Sequence, residues 1–269
     1  MTTTGFLTDA RALALELGLM AAERLRQAGA QSLQVEEKAQ GDWCSVLDRE
    51  IEQLLRQRIA QRYPQHGFWG EESHSGTPDA VQLQGQPVWV VDPIDGSMNF
   101  LRGYPQYAVS IALLEGGQPA VACIVDPVRE EVFTAARGQG ATCNGQPLAV
   151  ASTGQLGQAV AATVFPKPRA PFMDDYLREL SVVMKNVSGV RRAGSMALEL
   201  AYLAAGRIDV FWERGMGAWD AAAGLLLIEE AGGQLWALAG QPWYASSALA
   251  ASTPGLRAEW EGLLGAGRP

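Results

Sequence analysis

Apolar residues recur along the chain in blocks whose spacing switches between helical and extended. Near the N-terminus Leu13, Leu17, Met20 and Ala21 fall at helical spacing with Asp9, Arg11, Glu16 and Glu23 among them, which predicts an amphipathic surface helix and not a signal peptide. A second helix is predicted from about Leu47 to Arg62, because Leu47, Ile51, Leu54, Leu55 and Ile59 trace one stripe; Pro64 stops it. Val88 to Val91 is a short, continuously apolar run ending at Asp92-Pro93, the pattern of a buried strand. Further strands are expected at Tyr107 to Leu114, Ala120 to Val125, Glu131 to Ala136 and Ala141 to Cys143, followed by the hairpin dipeptide Asn144-Gly145.

From about residue 155 strands and helices alternate. Strands are expected at Ala159 to Phe165, Val187 to Val190 and Ile208 to Phe211. Helices are expected at Met173 to Met184, at Met196 to Ala205 with Ser195 as N-cap and Gly206 after its end, and at Ala221 to Glu230 with Asp220 as N-cap. The whole is an α/β protein: an α+β lobe over residues 1–154 and an α/β lobe over residues 155–269. Without a Pro/Gly/Ser-rich linker, the two are expected to form one integral unit.

Composition narrows the chemistry. The 269 residues carry 21 Lys+Arg against 29 Asp+Glu, a net charge of -8, which argues against a nucleic-acid or anionic-membrane binder. Two histidines exclude a three-histidine zinc site, and three dispersed cysteines suit reduced thiols in the cytoplasm better than a disulfide framework. No apolar run approaches the roughly 18 to 20 residues of a membrane-spanning helix.

The most informative segment is Asp92-Pro93-Ile94-Asp95-Gly96-Ser97-Met98-Asn99-Phe100. Two carboxylates at the end of an apolar strand, stiffened by Pro93 and turned at Gly96, converge on a small volume of the kind hard divalent cations occupy. If a helix begins after Gly96, its first N–H groups make an anion cradle. The plainer alternative is that both aspartates cap a turn. Likewise Glu71-Glu72 reads as a solvated pair, Asp48 and Asp220 as caps, and Arg191-Arg192 as a salt-bridge or helix-entry element.

Taken in order, Gly70-Glu71-Glu72, Asp92-Pro93-Ile94-Asp95-Gly96-Ser97 with Asn99-Phe100, Arg191-Arg192-Ala193-Gly194-Ser195, and Trp219-Asp220-Ala221-Ala222-Ala223-Gly224 leading to Glu230-Ala231-Gly232-Gly233 resemble the inositol monophosphatase family of Mg²⁺-dependent, lithium-sensitive sugar phosphatases. The resemblance covers essentially the whole chain and implies a layered α-β-α-β-α sandwich, usually a homodimer. It implies that Glu71, Asp92 and the Ile94 carbonyl hold one Mg²⁺, that Asp92, Asp95 and Asp220 hold a second, and that Glu71 helps to hold a weaker third. Asp48 and Ser97 would activate the attacking water, Gly96 and Ser97 would receive the phosphate, and Gly194, Ser195 and Glu213 would face the rest of the substrate. Lys38 lies one residue off the position of the family's lysine. Ser97 stands where threonine is usual, keeping the hydroxyl without the β-branch, and Met98 replaces a small polar residue.

The implied activity is hydrolysis of a small phosphorylated alcohol such as myo-inositol 1-phosphate, with no stable nucleic-acid partner. Histidinol phosphate, fructose-1,6-bisphosphate and 3′-phosphoadenosine 5′-phosphate are competing substrates within the superfamily. Two readings from other classes are attachment to the transcription machinery, as for some bacterial relatives, and a two-metal nuclease, which the acidic balance disfavours.

Overall fold

The computed structural model describes residues 3–29, 35–39, 42–73, 85–238, 242–246 and 248–266. Helix α1 (Thr3–Ala28) buries Ala10, Ala14, Leu17, Ala21 and Leu25, one stripe at helical spacing, and leaves its charged residues outward. A two-stranded ribbon, β1 (Val35–Ala39) and β2 (Asp42–Ser45), leads into α2 (Val46–Arg62), which buries Leu47, Ile51, Leu55 and Ile59. The side chains of Lys38 and Asp42 lie outside what the structure describes.

A seven-stranded sheet follows in chain order: β3 (Gly67–Gly70), β4 (Val88–Asp95), β5 (Ala108–Glu115), β6 (Gln118–Asp126), β7 (Glu131–Ala136), β8 (Ala141–Cys143) and β9 (Gln146–Pro147). Only the β3–β4 pair is parallel. All eight residues of β4 are buried because the sheet is covered on both faces. Trp89 and Val91 pack with α1 and α2, while Val88 and Val90 pack on the opposite side, as the two-residue strand period requires.

The second half supplies β10 (Val160–Ala162), α4 (Met173–Met184), β11 (Gly189–Arg191), α5 (Met196–Ala204), β12 (Val210–Arg214), α6 (Ala218–Glu230), β13 (Gln234–Ala237), α7 (Trp243–Ser246), β14 (Ala248–Ser252) and α8 (Arg257–Ala266). The sheet order is β11-β10-β12-β14-β13, with β10 parallel to both neighbours and β14 antiparallel to both of its own. Helices α5 and α6 sit between the two sheets, sharing one core with Val90 and Ala112 on one side and Phe211 and Leu249 on the other. Tyr176 and Val183 of α4 and Trp260 and Leu264 of α8 cover the far face of the smaller sheet. The result is the layered α-β-α-β-α sandwich.

Several elements depart from the sequence reading. Strands β13 and β14 and helix α8 fall outside the predicted elements; in β14, Ala248–Ser252 lacks both alternation and β-branched residues. The strand expected at Ala159 to Phe165 is confined to Val160–Ala162, and the one expected at Ile208 to Phe211 occupies Val210–Arg214. Helix α6 begins at Ala218 with Gly217 as N-cap, so Asp220 is not the cap; it sits at the third helical position, where its carboxylate reaches back to accept from Gly217 N at 2.7 Å. Among the described residues no helix is long and apolar enough to cross a membrane.

Candidate active site

A cleft of about 490 Å³ opens where the end of β4 meets the start of α6. Its floor is acidic. Asp95 follows Asp92 by three positions, a spacing that in a regular strand sends side chains to opposite faces. Pro93, however, has no N–H for the ladder, and the β4–β5 register slips between them, so that Asp92 pairs with Ser110 and Asp95 with Ala108. The resulting bulge turns both carboxylates the same way. One oxygen from each of Asp92, Asp95 and Asp220 lies within 4.8 Å of the others.

Each carboxylate is held by neighbouring hydrogen-bond donors. Asp92 Oδ1 accepts from Ile94 N at 2.9 Å, and Asp95 Oδ2 from Ala197 N at 2.7 Å and from the Ser195 hydroxyl. Asp220 uses the oxygen that caps α6. Glu71 and Ile94 line the same cleft. The loop that carries Glu71 is held by Glu72 N donating to buried Glu52 at 2.7 Å, and by an edge-to-face contact of Trp69 with Trp219, the residue before Asp220.

Gly96 adopts φ +90, a left-handed conformation open to glycine, and launches the short helix α3 (Ser97–Leu101). A side chain there would meet Gln106 O at 3.0 Å and Gly194 O at 3.1 Å. Gly96, Ser97 and Gly194 therefore form one wall of the cleft. Ser97 Oγ donates toward Asp48 Oδ1 at 2.9 Å and Ile94 O at 2.8 Å, and Asp48 is itself fixed by Ser45 N and Oγ at 2.7 and 2.6 Å.

The electrostatics of the floor fit a cation. Burial raises Asp92 well above the usual carboxylate range, and the charges of Glu71, Asp95 and Asp220 raise it further. Asp220 is pushed the same way by desolvation and then by Asp95 and Glu71. Burial lifts Asp95 to about 6, against the hydrogen bonds that favour its ionised form. Clustered oxygen ligands whose charges oppose one another are what a hard divalent ion stabilises.

A description of the Inositol monophosphatase family matches residues 7–265. The chain belongs to the inositol monophosphatase family. It is 44% identical over 203 residues to the inositol-1-monophosphatase of Rhizobium meliloti, covering 76% of this chain and 75% of that protein. It is 42% identical over 203 residues to the Nus factor SuhB of Pseudomonas aeruginosa, covering 75% and 74%. Among solved structures, the extragenic suppressor protein suhB of Bartonella henselae superposes with a TM-score of 0.87 at 36% identity, over 95% of this chain and 98% of that one. The inositol monophosphatase of Anabaena gives 0.85 at 32% identity, over 98% of each. Inositol monophosphatases are metal-dependent, and the acidic floor of this cleft is a cluster able to hold metal.

Two residues expected to face the substrate do not line the cleft of this family member. Ser195 is fully buried behind Asp95, to which its hydroxyl donates, and Glu213 is buried with its carboxylate accepting from Val164 N at 2.9 Å. Both sit behind the cleft wall because a backbone or carboxylate partner captures their polar atoms. Sequence reasoning also missed wall residues. The segment Val164 to Pro168 lines the cleft and brings Lys167 close enough for its charge to act on Asp220. Arg192 lines it too, its guanidinium 4.8 Å from the Phe165 ring centroid, and so does more than enter a helix. Two prolines flanking a lysine just after a strand were the available signal.

Proposed function

We propose that this chain is a Mg²⁺-dependent phosphatase that hydrolyses a small phosphate monoester, with myo-inositol 1-phosphate as the leading substrate. The observation that carries the reading is the convergence of Asp92, Asp95 and Asp220 within 4.8 Å beside the Ser97–Asp48 pair. In this reading Glu71, Asp92 and the Ile94 carbonyl would hold one Mg²⁺, and Asp92, Asp95 and Asp220 would hold another, so that Asp92 would serve both; Glu71 would also help to hold a third. Bound there, Mg²⁺ supplies the positive charge that acidifies a water and offsets the developing charge on the leaving oxygen.

The protein's own groups do the rest. Asp48, fixed by Ser45, accepts the Ser97 proton, which leaves a lone pair on Ser97 Oγ to take a proton from the attacking water. The first N–H groups of α3 receive the phosphate, since no intrahelical carbonyl reaches them. Gly194 faces the alcohol portion. Ser195 acts through Asp95, and Glu213 through the Val164 segment.

Phosphate release from myo-inositol 1-phosphate, histidinol phosphate, fructose-1,6-bisphosphate and 3′-phosphoadenosine 5′-phosphate, with and without Mg²⁺ and Li⁺, tests the assignment. The reading expects Mg²⁺-dependent, Li⁺-inhibited release with the highest kcat/KM on the inositol ester. A higher value on another ester moves the substrate assignment, and no release from any of them removes the phosphatase reading. The name of the Pseudomonas relative, Nus factor SuhB, motivates a second reading, attachment to the transcription machinery alongside catalysis.

A further inference from the structure

The peptide between Ala193 and its neighbours is gripped from both ends. Ala193 N donates to Glu199 Oε1 at 3.0 Å, and Ala193 O accepts from Asn99 Nδ2 at 2.8 Å. The same Asn99 nitrogen donates to Gln106 O at 2.7 Å. Asn99 lies on α3, the helix that Gly96 launches, and the two segments it ties down, at Gln106 and at Ala193–Gly194, are the two that crowd Gly96. Gly194 shares the φ of +90 found at Gly96. Glu199 is 1% exposed on α5, a helix otherwise made almost wholly of apolar side chains between two sheets. Burying a carboxylate there is costly, so its retention calls for a reason.

We propose that Asn99 and Glu199 are positioning residues: they clamp the Ala193–Gly194 segment onto the turn that receives the phosphate, and so fix where the alcohol portion of the substrate sits. The proposal rests on the phosphatase reading above. A wall displaced by an ångström leaves the phosphate end of the site intact but misplaces the hydroxyls of a polyol. The clamp therefore discriminates a polyol phosphate from an ester whose alcohol makes no use of that wall.

The test compares Glu199→Leu, Glu199→Gln and Asn99→Asp with the wild type on myo-inositol 1-phosphate and on p-nitrophenyl phosphate, with Tm measured for each. Gln keeps an acceptor for Ala193 N, Leu removes it, and Asp turns a donor into an acceptor facing two carbonyls. The expected result for Glu199→Leu and Asn99→Asp is a KM for the inositol ester raised about tenfold or more with kcat changed less than about threefold, and a KM for p-nitrophenyl phosphate changed less than about threefold. Glu199→Gln stays near wild type. Amide exchange at Ala193 speeds up in Glu199→Leu and not in Glu199→Gln. Equal losses on both esters, or Glu199→Gln behaving like Glu199→Leu, overturn the clamp; if Asn99→Asp fails to fold, the Glu199 pair decides alone. Wild-type protein that cleaves neither ester overturns the phosphatase reading and the specificity role with it, and the exchange rates then still report whether the peptide is held.

Discussion

Ionising Asp95 inside the protein is opposed by burial, which places it at about 6, whereas an unfolded aspartate titrates near 4. Between those values the native state keeps a proton that the unfolded chain has released, so this group's contribution to metal-free stability falls as pH rises from about 4 to about 6. Asp92 and Asp220 are shifted in the same direction. The melting temperature of metal-free wild type minus that of Asp95→Asn is therefore expected to become more negative across this window; a difference that is flat or climbs contradicts the assignment. At Ser97, removal of the hydroxyl breaks the link to Asp48, and Ser97→Ala is expected to lose about 10² to 10⁴-fold in kcat with little change in KM, while Ser97→Thr retains activity. Steady-state kinetics of the two variants separate the hydroxyl from the rest of the side chain. The residues of this motif were legible in the sequence because covalent neighbours, Pro93 and Gly96, dictate where they point. Lys167 and Glu199 were not, because their roles depend on tertiary partners; Ser195 was legible as a cap, but not its bond to Asp95, 100 residues away in sequence.

Helical stripes made α1, α2 and α4 readable, since each buries one face against a sheet, whereas α5 and α6, buried on both sides between the two sheets, were readable from the residues flanking their ends. Strand β14 was not, because a buried Ala-rich strand with both faces covered needs neither alternation nor β-branching to be stable, and β13 is a four-residue edge strand too short to show a period. The start of α6 was misplaced by three residues because Asp220 resembles a cap in sequence while it performs the reciprocal half of a capping box. Close packing explains a further motif residue. A Cβ on Gly224 would lie 2.4 Å from Leu200 Cβ, so α5 and α6 approach as closely as they do only because this position is glycine. Gly224→Ala is expected to destabilise the protein by roughly 1–3 kcal/mol through overpacking. Urea denaturation checks this, and an unchanged midpoint would mean that the two helices have room that their packing denies.

At the scale of the whole molecule, the site is assembled from both halves of the chain. The first half contributes Asp48, Glu71, Asp92, Asp95 and Ser97, and the second contributes Asp220, Gly194 and the cationic wall of Lys167 and Arg192. The -8 net charge first read as a bar to anionic partners. Part of it is concentrated on the floor of one cleft, where, in the proposed reading, Mg²⁺ would reverse the local sign and make a phosphate welcome. Asp92 is the residue on which that reversal turns, since it is assigned to both ions. The most direct test is Mg²⁺-dependent phosphate release from myo-inositol 1-phosphate by wild type and Asp92→Asn, side by side with an EDTA control. The account predicts release by wild type that EDTA abolishes, and a loss of several orders of magnitude in folded Asp92→Asn. Wild-type turnover by Asp92→Asn would contradict it.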